Sequence, residues 1–169
     1  MFDKYKPVEL PKEVNEDSKK SRVAADTRLP ADQRVLGVSD GKEAKAYPLD
    51  AVAKAGLIED QIDSRPCVIL WEAATGTAAA YRPVAAPPKK EDGDPKTLPL
   101  YRDDKTDGKP LTDKETSSRW DAAGRAYEGK LKGWTLTWMD GTQVKWFAWA
   151  AEYPETTLFG ERRALCPPG

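Results

Sequence analysis

Histidine is absent from this chain of 169 residues. Its absence excludes the Ser-His-Asp triad, the Cys-His dyad, the HExxH zinc site and His-ligated haem, because each needs an imidazole as base or ligand. Cysteine is scarce. Cys67 and Cys166 are too few for a disulfide framework and have no CxxC spacing for metal or redox work. Cys67 lies in the apolar run Cys67 to Trp71, where a thiol behaves as a small hydrophobe. Net charge is nearly lacking as well. The 27 Lys and Arg against 28 Asp and Glu leave -1, which does not make a clamp for nucleic acid. No apolar run of eighteen or more residues is present, so no transmembrane helix is expected. The opening Met1-Phe2-Asp3-Lys4-Tyr5-Lys6 lacks the apolar stretch of a signal peptide. What these absences leave is chemistry by carboxylate, lysine, tyrosine or a lone thiol, or no chemistry. The expectation is the last, with no catalytic residues, no metal ligands and no cofactor.

What is present is charge, unevenly placed. One third of the chain is charged and its mean hydropathy is -0.71, polar for a compact protein. Residues 1–34 and 89–115 carry 15 charged side chains each, in mixed sign. The remainder has an ordinary globular content of charge. This predicts an extended polar N-terminal tail over 1–33, a single domain over 34–160 with a charged, Pro-rich loop inserted at about 83–115, and a C-terminal tail over 161–169. A chain of this length buries about 70% of its unfolded surface, enough for a core of its own.

Within the domain, Val35 to Val38, Asp40-Gly41 and Ala44 to Tyr47 read as a hairpin around an Asp-Gly turn. Pro48 to Ala55 reads as a short helix stopped by Gly56. Leu57 to Ile62 and Cys67 to Trp71 make a second hairpin, and Ala78 to Tyr81 a further strand. Residues 83–115 read as a long surface loop with one strand around Leu98 to Tyr101. Trp134 to Trp138 and Gln143 to Lys145 are strands around a second Asp-Gly pair, Asp140-Gly141. The stretch Lys145 to Tyr153 is a helix ended by Pro154, with Trp146, Trp149 and Tyr153 at core spacing. The fold class is α+β, a mainly antiparallel β-sheet of several hairpins with two short helices.

Few constellations carry chemistry. Asp103 to Gly108 opens like a calcium loop, yet Lys105 and Lys114 fall where the ion needs oxygen donors. Glu115, Arg119 and Asp121 surround Trp120, an arrangement that reads as a structural ion pair over a core indole or as a holder for a small polar ligand. Five of the six tryptophans lie between residues 120 and 149, as core or as a sugar platform.

The motifs Val35-Leu36-Gly37-Val38, Ala44 to Leu49, Arg65-Pro66, Gly76-Thr77-Ala78, Glu115 to Trp120, Gly129 to Gly133 and Trp146 to Trp149 with Tyr153 to Thr156 occur in order over residues 34–160. In this the chain resembles the bacterial domain-of-unknown-function family numbered 3179. The resemblance implies export and a Cys-Pro-x-Cys-Gly site with an upstream His-Glu and Asn-Asp, suited to thiol redox or metal work. Placed on this chain, the two cysteine positions fall on Glu72 and Thr75, the proline on Ala73 and the histidine near Ala55, while Gly76 is retained. A carboxylate and a hydroxyl form no disulfide, and a soft metal finds no thiolate or imidazole.

Three readings follow. The first is a non-catalytic binding or structural domain, an accessory subunit engaging a protein partner through its N-terminal tail. The second is a ligand-binding protein or enzyme whose cleft brings together Trp71, Glu72, Thr75, Gly76, Thr77, Arg119 and Trp120. The third is a carbohydrate-binding module, which needs two exposed coplanar tryptophans. The chain itself names no compartment; the resemblance points outside the cytoplasm if the chain was trimmed, and otherwise the expectation is the cytoplasm.

Overall fold

Local turn chemistry builds the first half of the computed structural model, which describes residues 26–103 and 110–161. Residues 1–25 of the tail expected over 1–33, most of the calcium-like segment and the C-terminal 162–169 with Cys166 lie outside the described residues. Strand β1 (Arg34–Ser39) turns through Asp40 and Gly41 into antiparallel β2 (Ala44–Pro48), with Leu36 opposite Tyr47. Helix α1 (Leu49–Ala55) stops at Gly56, whose φ of +71° costs a residue without Cβ little and whose N–H reaches the Val52 carbonyl at 2.8 Å. Strands β3 (Leu57–Ile62) and β4 (Arg65–Glu72) form the second hairpin, and β5 (Thr77–Ala86) pairs with the other edge of β4.

The β3–β4 turn holds both central residues at positive φ, Asp63 at 51° and Ser64 at 58°. That is the geometry of a turn that favours Asn-Gly. Ser64→Gly is therefore expected to raise stability by about 0.5–1 kcal/mol through relief of the Cβ clash. Thermal melts of variant and parent run side by side check it, and an unchanged or lower midpoint rejects it.

The later strands are short: β6 (Lys96–Thr97), β7 (Leu100–Arg102), β8 (Leu111–Asp113), β9 (Arg119–Trp120), β10 (Ala126–Glu128), β11 (Thr135–Trp138), β12 (Gly141–Lys145) and β13 (Thr157–Leu158), with α2 (Trp146–Glu152) between the last two. They complete three sheets, in the orders β12-β1-β2-β13, β11-β5-β4-β3 with β6 on β5, and β10-β9-β8-β7. Apart from the parallel pairing of β13 with β2, the pairings between these strands are antiparallel. The class is α+β and mainly β, as the sequence predicts. Among the described residues no helix is long and apolar enough to cross a membrane.

Side-chain alternation then stacks the sheets. In β1, Leu36 and Val38 point into one core with Ile58, Ile69 and Ala80 of the second sheet, while Val35 points the other way onto Trp146 and Trp149 of α2. In β4, Cys67 and Ile69 enter the first core, and Val68 and Leu70 enter another with Leu98 and with Leu111 and Trp120 of the third sheet. Helix α1 closes the first core with Leu49 and Val52. The central sheet is thus covered on both faces, which is why β4 is a continuous apolar run.

Three expectations change. Residues 83–103 and 110–115 are not a loop draped over the surface: β5 runs on to Ala86, β6, β7 and β8 follow, and Leu98, Leu100 and Leu111 are buried in the core. Asp140-Gly141 does not close a hairpin. Strand β11 pairs with β5 and β12 with β1, so the pair turns the chain from one sheet to the next. Residues 26–33, assigned by composition to the tail, are bonded to α2. The Gln33 and Ala31 carbonyls accept from the Trp146 and Phe147 N–H groups at 2.8 and 3.1 Å, satisfying donors that a helix start leaves open. Arg28 lies 5.2 Å from the centre of the Trp146 ring and pairs with Asp26 and Glu161.

Candidate functional site

The β4–β5 turn lies over a cleft of about 360 Å³. Its walls come from the end of β4, the start of β1 with the residues before it, and α1. Trp71 and Gly76 contribute from the turn side, Asp32, Gln33 and Arg34 from the chain entering β1, and Leu49, Asp50 and Ala53 from the helix. Trp71 is half-buried against the first core, and its N–H reaches the Gly56 carbonyl at 3.1 Å, which ties the strand end to the helix stop. Gly76 holds a φ of +64° with open space beside it, so backbone lines the cleft there. The Gln33 side-chain amide donates to Asp50 Oδ1 at 3.2 Å, bracing the two walls.

Glu72, Thr75 and Thr77 serve the turn itself. Glu72 Oε1 accepts from the Ala74 N–H at 3.1 Å, and the Thr75 and Thr77 hydroxyls are 2.6 Å apart. With glutamate at 72, threonine at 75 and alanine at 55, no thiolate or imidazole stands at the places where the resemblance implies them. The donors present do not fit a soft metal or a disulfide. Among the described residues no three His, Cys, Asp or Glu side chains gather as a metal site.

Arg119 and Trp120 belong elsewhere. Trp71 packs on the first core and Trp120 in the second, so the two indoles lie on opposite faces of the central sheet. Trp120 is buried, and the carboxylate partner of Arg119 is Glu128, at 2.9 Å, rather than Glu115 or Asp121. Asp121 instead pairs with Arg125 at 3.6 Å. The seven residues grouped by the sequence thus divide into Trp71 and Gly76 on the cleft, Glu72, Thr75 and Thr77 in the adjoining turn, and a separate pair in the third sheet.

What surrounds Trp120 is a buried carboxylate that sequence reading passes over. Asp113, fully buried, accepts from the N–H groups of Glu115, Thr116 and Ser118 at 3.1, 2.6 and 3.0 Å, from the Thr116 hydroxyl at 2.9 Å and from the Trp120 indole at 3.2 Å. Burial alone pushes its carboxyl up, but the hydrogen bonds from Thr116, Trp120 and Ser118 outweigh burial and leave it below the usual carboxylate range. Both carboxylate oxygens accept from donors within the protein, so Asp113 is a structural anchor. The signal was Asp113 followed by Thr116 and Ser118, a spacing at which hydroxyl residues fold back on an acid.

A second polar cluster closes the first core. The Tyr47 hydroxyl donates to Asp60 Oδ2 at 3.1 Å, Lys45 Nζ pairs with the same oxygen at 2.7 Å, and Cys67 Sγ lies 3.8 Å from the Tyr47 oxygen. Burial pushes both the phenol and the thiol up, so Cys67 stays protonated and is a poor nucleophile.

No curated protein and no solved structure matches this chain. A family model does, over residues 4–156, and it is described as a protein of unknown function. The match takes in the β1–β2 hairpin, the cleft turn and the Asp113 anchor alike, so the chain belongs to the family of unknown function DUF3179.

Proposed function

We propose that this protein is a non-catalytic binding domain that holds a small polar ligand in the cleft beside Trp71 and Gly76. The observation that carries the reading is the engagement of Glu72 and Thr75 in their own turn. The side chains at the positions of the implied reactive pair brace a loop, and the cleft beneath is lined by groups that recognise rather than react. Arg34 brings a guanidinium suited to a carboxylate, Asp32 and Asp50 bring acceptors for an ammonium, and Trp71 brings an apolar wall. That set matches a zwitterion of amino-acid size.

A panel of free amino acids titrated into isotope-labelled protein tests this reading. The expected result is saturable shifts of the Trp71 indole and Gly76 resonances, no chemical change in the bound compound, and binding about 10-fold weaker in Arg34→Gln through loss of a charge-assisted hydrogen bond. Turnover of the bound compound, or no shift at either residue with any member of the panel, overturns it. As an accessory subunit the domain would meet a protein partner through its N-terminal segment. The support is the mixed charge of residues 1–34 and the anchoring of residues 26–33 on α2. Cross-linking of the full chain and of one lacking residues 1–25 checks this, with loss of the cross-linked species expected in the second.

A further inference from the structure

A second cleft, sharing no lining residue with the first, opens where Asp140 and Gly141 turn the chain between sheets. It measures about 200 Å³ and is walled by Trp138, Trp149 and Tyr153, with Asp140 and Thr142 beside them and the Gly37 backbone at its base. Trp138 is 57% exposed, far more than the other five tryptophans, whereas Trp149 is buried. An exposed indole face is open to a ligand, and Trp is the strongest ring partner for a cation. This one is held in place: its ring stands at 86° to Tyr81, with centroids 5.4 Å apart, and the next residue, Met139, bonds the Ala80 carbonyl at 3.0 Å. The Trp149 and Tyr153 ring centroids are 4.2 Å apart, so the other two rings of the cleft brace each other.

A sugar platform needs a second exposed indole, and the cleft has none. Its charge favours a different ligand. Asp140 lines it, and the neighbouring hollow that shares Tyr153 adds Glu43, Glu152 and Glu155 against the single cation Lys42. Aromatic rings and carboxylates around a small cavity are the surroundings an organic cation prefers, because the ring faces are electron-rich and the acids set a negative potential.

We propose that the Trp138–Trp149–Tyr153 cleft binds an alkylated ammonium group, with Trp138 as the contacting ring and Asp140 as the counter-charge. The same ammonium chemistry occurs on free small molecules and on methylated lysine side chains, and the test separates them.

The full chain is titrated with choline, with the uncharged isostere 3,3-dimethylbutan-1-ol and with a peptide bearing trimethyllysine, following the Trp138 indole resonance. Choline is expected to shift it saturably, with the isostere about 10-fold weaker or more, the ratio expected when the positive charge, not the shape, is recognised. Comparable affinity for choline and the peptide assigns a free cation; peptide binding at least about 10-fold tighter assigns a modified protein, and either result supports the cleft. Trp138→Ala, followed at the Gly141 amide resonance, is expected to abolish binding and Asp140→Asn to weaken it several-fold. Because Asp140 is exposed and makes no packing contact with a core, the second variant carries the test if the first does not fold. Equal binding of choline and its isostere, or no saturable shift up to about 50 mM choline, well past the millimolar affinities of weak sites, overturns the proposal.

Discussion

Asp113→Asn is expected to lower stability by about 3 kcal/mol or more, the cost of leaving part of a buried charge network unmatched. The carboxylate accepts five hydrogen bonds from donors within its own loop and from Trp120. An amide has one acceptor oxygen in place of two, and its NH₂ faces donors that have no water to turn to. At this chain length the loss amounts to about 10 °C in the thermal midpoint. The effect spreads because Ser118, which donates to Asp113, also accepts from the Leu131 N–H at 3.0 Å, so the turn after β10 is built on the same knot.

The anchor also fixes the direction of acid sensitivity. The folded-state carboxyl of Asp113 lies below its ordinary value of 3.8. Its contribution is therefore complete above that value and is lost as pH falls through the folded-state pKa. Urea unfolding of the parent chain between pH 7 and pH 2 is expected to show this loss, and Asp113→Asn is expected to show a shallower acid slope. A variant as stable as the parent, or a slope that does not change, contradicts the role given to Asp113.

Gly37→Ala is expected to be the other severe substitution, costing about 3 kcal/mol through overpacking. Gly37 sits in the middle of β1 with an ordinary extended backbone, so conformational freedom is not what it provides. It provides room. A Cβ there would overlap the Cε3, Cδ2 and Cζ3 atoms of Trp149. That ring cannot give way, because it is buried, stacked on Tyr153, and holds the Thr156 hydroxyl through its indole N–H at 2.9 Å. The substitution would lift α2 from the first sheet and widen the Trp138 cleft, so choline binding and thermal stability should fall together. A variant that melts with the parent would show that the ring can relocate at little cost.

Much of the path from sequence to fold was legible where the determinants are local. The Asp40-Gly41 turn, the stop at Gly56, the Pro154 boundary and the spacing of Trp146, Trp149 and Tyr153 each depend on a few neighbouring residues, and the structure has all of them. The candidate site was legible only in part. Trp71 and Gly76 do line a cleft, but Asp32, Gln33, Arg34 and Asp50 come to it from segments up to 44 residues away and carry no mark of it in the sequence.

By itself, then, the sequence determined the absence of imidazole chemistry, the class of the fold, helices α1 and α2 and the first hairpins, because composition and turn geometry act within a few residues. Tertiary structure alone decided that Asp140-Gly141 joins two sheets and that residues 83–115 bury leucines. It also decided that Trp71 and Trp120 face opposite ways. The physical reason lies in β4. When both faces of a strand are buried, Cys67 to Trp71 are apolar throughout, and alternation no longer tells one face from the other.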